Sequence, residues 1–66
     1  MNWDRIEGNW KQFKGKIGEK WGDLSDSDLE KINGRRDQFE GVLQERYGIG
    51  RDVAQKNVDE WLKTLH

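Results

Sequence analysis

Apolar residues recur along the first third of this chain at intervals of three and four: Trp3, Ile6, Trp10, Phe13, Ile17 and Trp21. At 3.6 residues per turn this spacing sets all of them on one face, the mark of an amphipathic helix. Leu29, Ile32, Phe39, Val42, Leu43 and Tyr47 repeat the pattern, with Arg36 standing where the first run has Trp10. Ala54, Val58, Trp61, Leu62 and Leu65 then share one face of a last helix that carries Asp52 in its first turn and closes the bundle.

The two longer runs are copies of one unit. Shifting the chain by 26 residues lays Trp3 to Gly22 on Leu29 to Gly48 and gives seven identities, among them Ile6/Ile32, Phe13/Phe39, Glu19/Glu45 and three glycine pairs. Such self-similarity marks an internal duplication. The glycines punctuate it. Gly8 and Gly34 divide each copy into a short and a longer helix, while Gly22 and Gly48 are expected to supply the left-handed residue that ends the longer one. Gly15 and Gly41 fall mid-helix, opposite the apolar face, and read as solvent-facing positions that cost about 1 kcal/mol each relative to alanine. Between the copies, Ser27 with Glu30 three residues on has the form of a capping box. The pattern thus predicts helices at Trp3 to Glu7, Asn9 to Trp21, Ser27 to Ile32, Arg35 to Tyr47 and Arg51 to Thr64. The fold class is all-α, a small helical bundle in which both apolar stripes, Trp10 and Tyr47 included, form the core.

Composition narrows the class further. Sixty-six residues make one small domain. Thirteen acidic and twelve basic side chains nearly cancel, and a net charge of −1 argues against a protein devoted to gripping nucleic acid. Without cysteine there is neither a disulfide framework nor a thiolate metal site, which fits a reducing compartment. The residues Met1 to Arg5 lack the apolar run of a secretory signal, and no apolar stretch is long enough to span a bilayer. A cytoplasmic protein with no stable membrane insertion is the expectation.

The run Gly8-Asn9-Trp10-Lys11-Gln12-Phe13-Lys14-Gly15-Lys16, followed by Trp21-Gly22-Asp23-Leu24, resembles the opening of the CsbD-like family. The resemblance continues through Gly41, Gln44-Glu45-Arg46-Tyr47-Gly48 and Ala54 to the closing helix. It implies a small bacterial cytoplasmic protein associated with the general stress response and a small orthogonal, SAM-like bundle of four to five short helices packed roughly at right angles. It implies no biochemical activity and no catalytic residues.

A search for chemistry finds little. The single histidine, His66, is terminal and has no neighbouring partner, and neither a phosphate-binding loop nor a metal-ligand spacing occurs, so neither enzyme activity nor a cofactor is expected. The segment Tyr47-Gly48-Ile49-Gly50-Arg51-Asp52-Val53-Ala54 resembles the turn of a helix-hairpin-helix module, in which glycine amides approach a DNA phosphate. Gly48, Gly50 and Arg51 are the candidate contacts. Against this stand Tyr47 in the usual place of a proline, Asp52 beside the expected phosphate, and Asn57 where an apolar residue belongs. The first long helix, its aromatic stripe flanked by Lys14 and Lys20 with Lys11 and Lys16 farther round, has the form of a membrane-surface helix, although the core needs the same aromatics. Acidic Asp23 to Asp28 and basic Arg35-Arg36 read as solvated rim charges. A protective or protein-interaction module, with other proteins as partners, is the preferred reading; DNA-backbone contact is second and membrane docking third.

Overall fold

The computed structural model describes residues 1–65, and His66 lies outside them. Five helices follow one another: α1 (Trp3–Gly8), α2 (Trp10–Lys20), α3 (Asp26–Ile32), α4 (Arg36–Tyr47) and α5 (Arg51–Thr64). No strand occurs among the described residues. The all-α class and the five elements agree with the periodicity, with boundaries shifted by at most one residue, the start of α3 included.

That start is set by Ser25 rather than Ser27. The Ser25 hydroxyl accepts from the Asp28 amide at 3.2 Å, and the Asp28 carboxylate accepts from the Ser25 amide at 3.0 Å. The reciprocal box therefore uses Asp28 in the role expected of Glu30, and the helix begins a residue earlier than Ser27 would place it. The chain enters this cap through a turn that also differs from expectation. Gly48 has φ +63° and ends α4 as a left-handed residue, but Gly22 does not adopt positive φ; α2 ends at Trp21 without that device. The second copy instead uses left-handed residues twice, at Asn33 and Gly34, to turn from α3 into α4.

The core is built from equivalent positions of the duplication. Ile6 and Ile32 are fully buried, as are Phe39, Ile17 and Leu43, with Phe13 nearly so. Val58 of α5 is fully buried as well, and α5 runs from Arg51 to Thr64 as one helix. Phe39 lies at the centre: Trp3 stacks on it at 5.7 Å between ring centroids, while Trp21 and Trp61 present edges at 5.0 and 6.5 Å. Such offset and edge-on pairs add to the free energy of burial itself. Trp3 is tied in place by its indole N–H, which donates to the Gly34 carbonyl at 2.9 Å and so pins α1 to the α3–α4 turn.

Two members of the expected core lie elsewhere. Tyr47 is 38% exposed, its hydroxyl accepting from the Asp23 amide at 3.4 Å, because it is the last residue of α4, next to the left-handed Gly48. Trp10 is only half-buried, packed against the rim of the core at the start of α2.

Candidate functional site: the α4–α5 turn

The turn holding Gly48, Gly50 and Arg51 is fixed by the helices on either side. Gly48 donates its amide to the Gln44 carbonyl, closing α4, and Gly50 begins α5 in an extended conformation with its carbonyl accepting from the Ala54 amide. No side chain hydrogen-bonds to cap α5. The nearest atom to a Cβ placed on Gly50 is an Asp52 carboxylate oxygen at 2.8 Å. A negative group thus already stands beside the positive end of α5, where an incoming phosphate would meet it.

Arg51 points back along α4. Its guanidinium lies 3.3 Å from the Glu40 carboxylate and donates to the Gln44 side-chain carbonyl at 3.3 Å. Glu40 is buried, with 6% side-chain exposure, and it also accepts from Arg36 at 2.8 Å. Arg36 continues the chain of charges to α5, donating to Asp59 at 2.7 Å and to the Gln55 carbonyl at 3.4 Å. Burial opposes the Arg36 charge, but Glu40 and Asp59 outweigh it and hold the guanidinium above its ordinary pKa. The three candidate residues are therefore together in space, with Arg51 engaged in locking α4 to α5.

A second charged tie holds α3 to α4. Arg46 grips Asp28 with two parallel bonds of 2.8 Å. This fork, with the Ser25 amide, draws the Asp28 carboxyl well below the usual carboxylate range. Arg36 and Asp28 are thus structural partners rather than solvated rim charges. The signal for the first was available as an Arg–Glu spacing of four within α4; the Asp28–Arg46 tie joins residues 18 apart and follows only from the packing of α3 on α4.

Among the described residues no group of three or more His, Cys, Asp or Glu side chains is placed to hold a metal ion. The concavities are open grooves rather than enclosed pockets. One of about 350 Å³ runs between α2 and α5, lined by Lys20, Trp21, Asn57, Glu60, Trp61 and Thr64. None gathers a nucleophile, a base and an oxyanion-stabilising group.

This combination of duplicated aromatic helices and glycine punctuation coincides with a known family: the model described as CsbD-like matches residues 4–56. The chain belongs to the CsbD-like family. Among its relatives, UPF0337 protein RPA4217 of Rhodopseudomonas palustris is 63% identical over 65 residues, covering 98% of each chain. UPF0337 protein YjbJ of Escherichia coli O6:H1 is 57% identical over 63 residues, covering 96% of this chain and 91% of the relative. YjbJ of Escherichia coli K12 is 56% identical over 61 residues. The match along nearly the whole length of these proteins agrees with the residues that first suggested the family, from the Gly8–Lys16 run to the closing helix.

Proposed function

We propose that this CsbD-like domain is a non-enzymatic module of the general stress response that acts by contacting other proteins. The observation carrying this reading is the surface at the α4–α5 turn. Tyr47 and Val53 are the large apolar side chains left exposed, at 38% and 43%, and Ile49 between them is half-buried. Arg46 and Asp52 flank them in sequence and the Asp23 amide donates to the Tyr47 hydroxyl, so polar groups border the aromatic ring, as in the rim of a transient protein interface. Tyr47 breaks the apolar stripe that its equivalent Trp21 completes in the core, so a side chain fit for burial is left facing solvent.

The test is suppression of heat-induced aggregation of an unrelated client protein. The wild-type domain is expected to protect, and Tyr47→Ser/Val53→Ser to lose most of that protection while keeping its own thermal transition. Equal protection by both would overturn the reading. The uncapped start of α5 supports one alternative, weak sequence-independent contact with a DNA backbone through Gly48, Gly50 and Arg51. In that case backbone amides from Gly48 to Asp52 shift on adding a short duplex at low salt, and Arg51 leaves Glu40 and Gln44.

A further inference from the structure

The apolar stripe of α2 is spent in the core: Phe13, Ile17 and Trp21 are buried, and only Trp10 reaches the rim. What α2 offers outward is charge. Lys11, Lys14, Lys16 and Lys20 lie along its 11 residues with Glu19 as the one acidic side chain, over a length of about 16 Å. Every arginine of the second copy and its flanks, from Arg35 to Arg51, is in an ion pair, yet among the described residues none of these four lysines is. Lys16 and Lys20 instead lie over the rings of Phe13 and Trp21, at 5.4 and 5.6 Å, stems along apolar surface and ammonium groups at the edge. Between the two lysine flanks the helix is low, because the outward Gly15 has nothing within 4 Å of where its Cβ would be.

The charge is also segregated along the chain. Directly after α2 come Asp23, Asp26 and Glu30, besides Asp28 that Arg46 neutralises, and no basic residue stands before Lys31. Although the net charge is −1, α2 itself carries four lysines against one glutamate. Such a distribution suits a flat anionic surface that meets one face only, and not a long polyanion that wraps around the domain.

We infer that the outward face of α2, bordered by Lys11 and Lys14 on one flank and Lys16 and Lys20 on the other, docks the folded domain onto an anionic phospholipid surface. Lipid fits better than nucleic acid because the cations are all lysines. A compact ammonium on a flexible stem follows mobile headgroups, whereas fixed phosphates favour the planar fork of arginine. The half-buried Trp10 at the start of α2, beside Lys11 and Lys14, adds an indole of the kind that settles at the membrane–water interface. Docking is peripheral: no described helix is long and apolar enough to cross a bilayer. The site is separate from the α4–α5 turn, and the inference does not depend on the protein-directed reading.

The experiment is co-sedimentation of the full chain with vesicles of phosphatidylcholine alone or mixed with phosphatidylglycerol, at low and physiological salt. Binding is expected only with phosphatidylglycerol present, and salt should weaken it. Each Lys→Gln change on α2 should lower partitioning about fivefold, and all four together by roughly 600-fold. Glu19→Gln should strengthen binding, and this second variant keeps the test decisive if the fourfold change disturbs folding. The Tyr47→Ser/Val53→Ser variant should bind vesicles as the wild type does, which separates this surface from the proposed protein contact. Equal binding to neutral vesicles, indifference to Lys→Gln and Glu19→Gln, or binding to duplex DNA without binding to vesicles would each overturn the inference.

Discussion

The two copies of the duplicated unit have the same hydrophobic skeleton and opposite means of fastening it. In the second copy, Arg36 and Glu40 reach α5, Arg46 holds α3, and Gly48 ends α4 in the left-handed conformation. The equivalent positions of the first copy are Trp10, Lys14, Lys20 and Gly22: a half-buried indole, two lysines in no ion pair among the described residues, and a glycine without positive φ. The start of α2 has no side-chain cap and no acidic residue in its first turn, so its macrodipole is less well complemented than that of α3. The shared core positions hold both copies in the bundle. Divergence fell on the flanks, where one copy gained internal charge pairs and the other kept its charges for the outside.

If this contrast is right, removing core rings should hurt both halves, and the second more. Phe39→Ala should cost about 3–5 kcal/mol and abolish a cooperative urea transition, since Phe39 is fully buried and meets three aromatic rings. Phe13→Ala should fall at the lower end of that range, because Phe13 keeps 6% exposure and meets Trp61 alone among the rings. Equal losses in the two variants would remove the difference in core position.

The ion pairs give the next effect. Arg36→Ala leaves buried Glu40 with Arg51 alone and should cost about 3 kcal/mol by urea titration. Lys14→Ala and Lys20→Ala, in the copy without ion pairs, should change stability by less than about 0.5 kcal/mol. Asp28 adds a pH signature. Its carboxyl is depressed in the folded protein, so its contribution is fully present above the ordinary carboxylate value near 4 and fades as pH falls through the lower folded value. The stability gap between wild type and Asp28→Asn should therefore be constant around neutrality and shrink as pH falls below about 4. A gap that widened with acid would contradict the Arg46 tie.

Much of this architecture is legible in the sequence because hydrophobic periodicity is a local property that burial then enforces. Ile6, Phe13, Ile17, Ile32, Phe39, Leu43 and Val58 are core positions by spacing and by packing alike. The misses have physical causes too. Ser25 and Ser27 both precede acidic residues at the capping distance, and only the path of the chain through Leu24, buried against the core, selects the first. Tyr47 fits the stripe but is the last residue of its helix, where the chain turns away at the left-handed Gly48. The gathering of Gly48, Gly50 and Arg51 follows from their adjacency, whereas the diversion of Arg51 toward Glu40 needed the crossing of α4 and α5.

The glycines sharpen the comparison at the smallest scale. Gly48→Ala should cost about 1–2 kcal/mol, because its left-handed φ of +63° strains any residue with a Cβ, whereas Gly22→Ala, at the matching position, carries no such penalty. Gly15 and Gly41 are the contrasting pair: they match in sequence, each has nothing within 4 Å of its missing Cβ, and neither has positive φ. Helix propensity then acts unopposed, and each change to alanine should stabilise the domain by about 1 kcal/mol in thermal or urea unfolding. The two changes lie in different helices, so they should add. On vesicles they should part. A methyl group at Gly15 rises from the floor between the α2 lysines and holds the backbone farther from the lipid, so Gly15→Ala should bind phosphatidylglycerol vesicles more weakly than wild type despite its greater stability. Gly41→Ala, on the copy whose arginines are spent internally, should gain the same stability and bind unchanged.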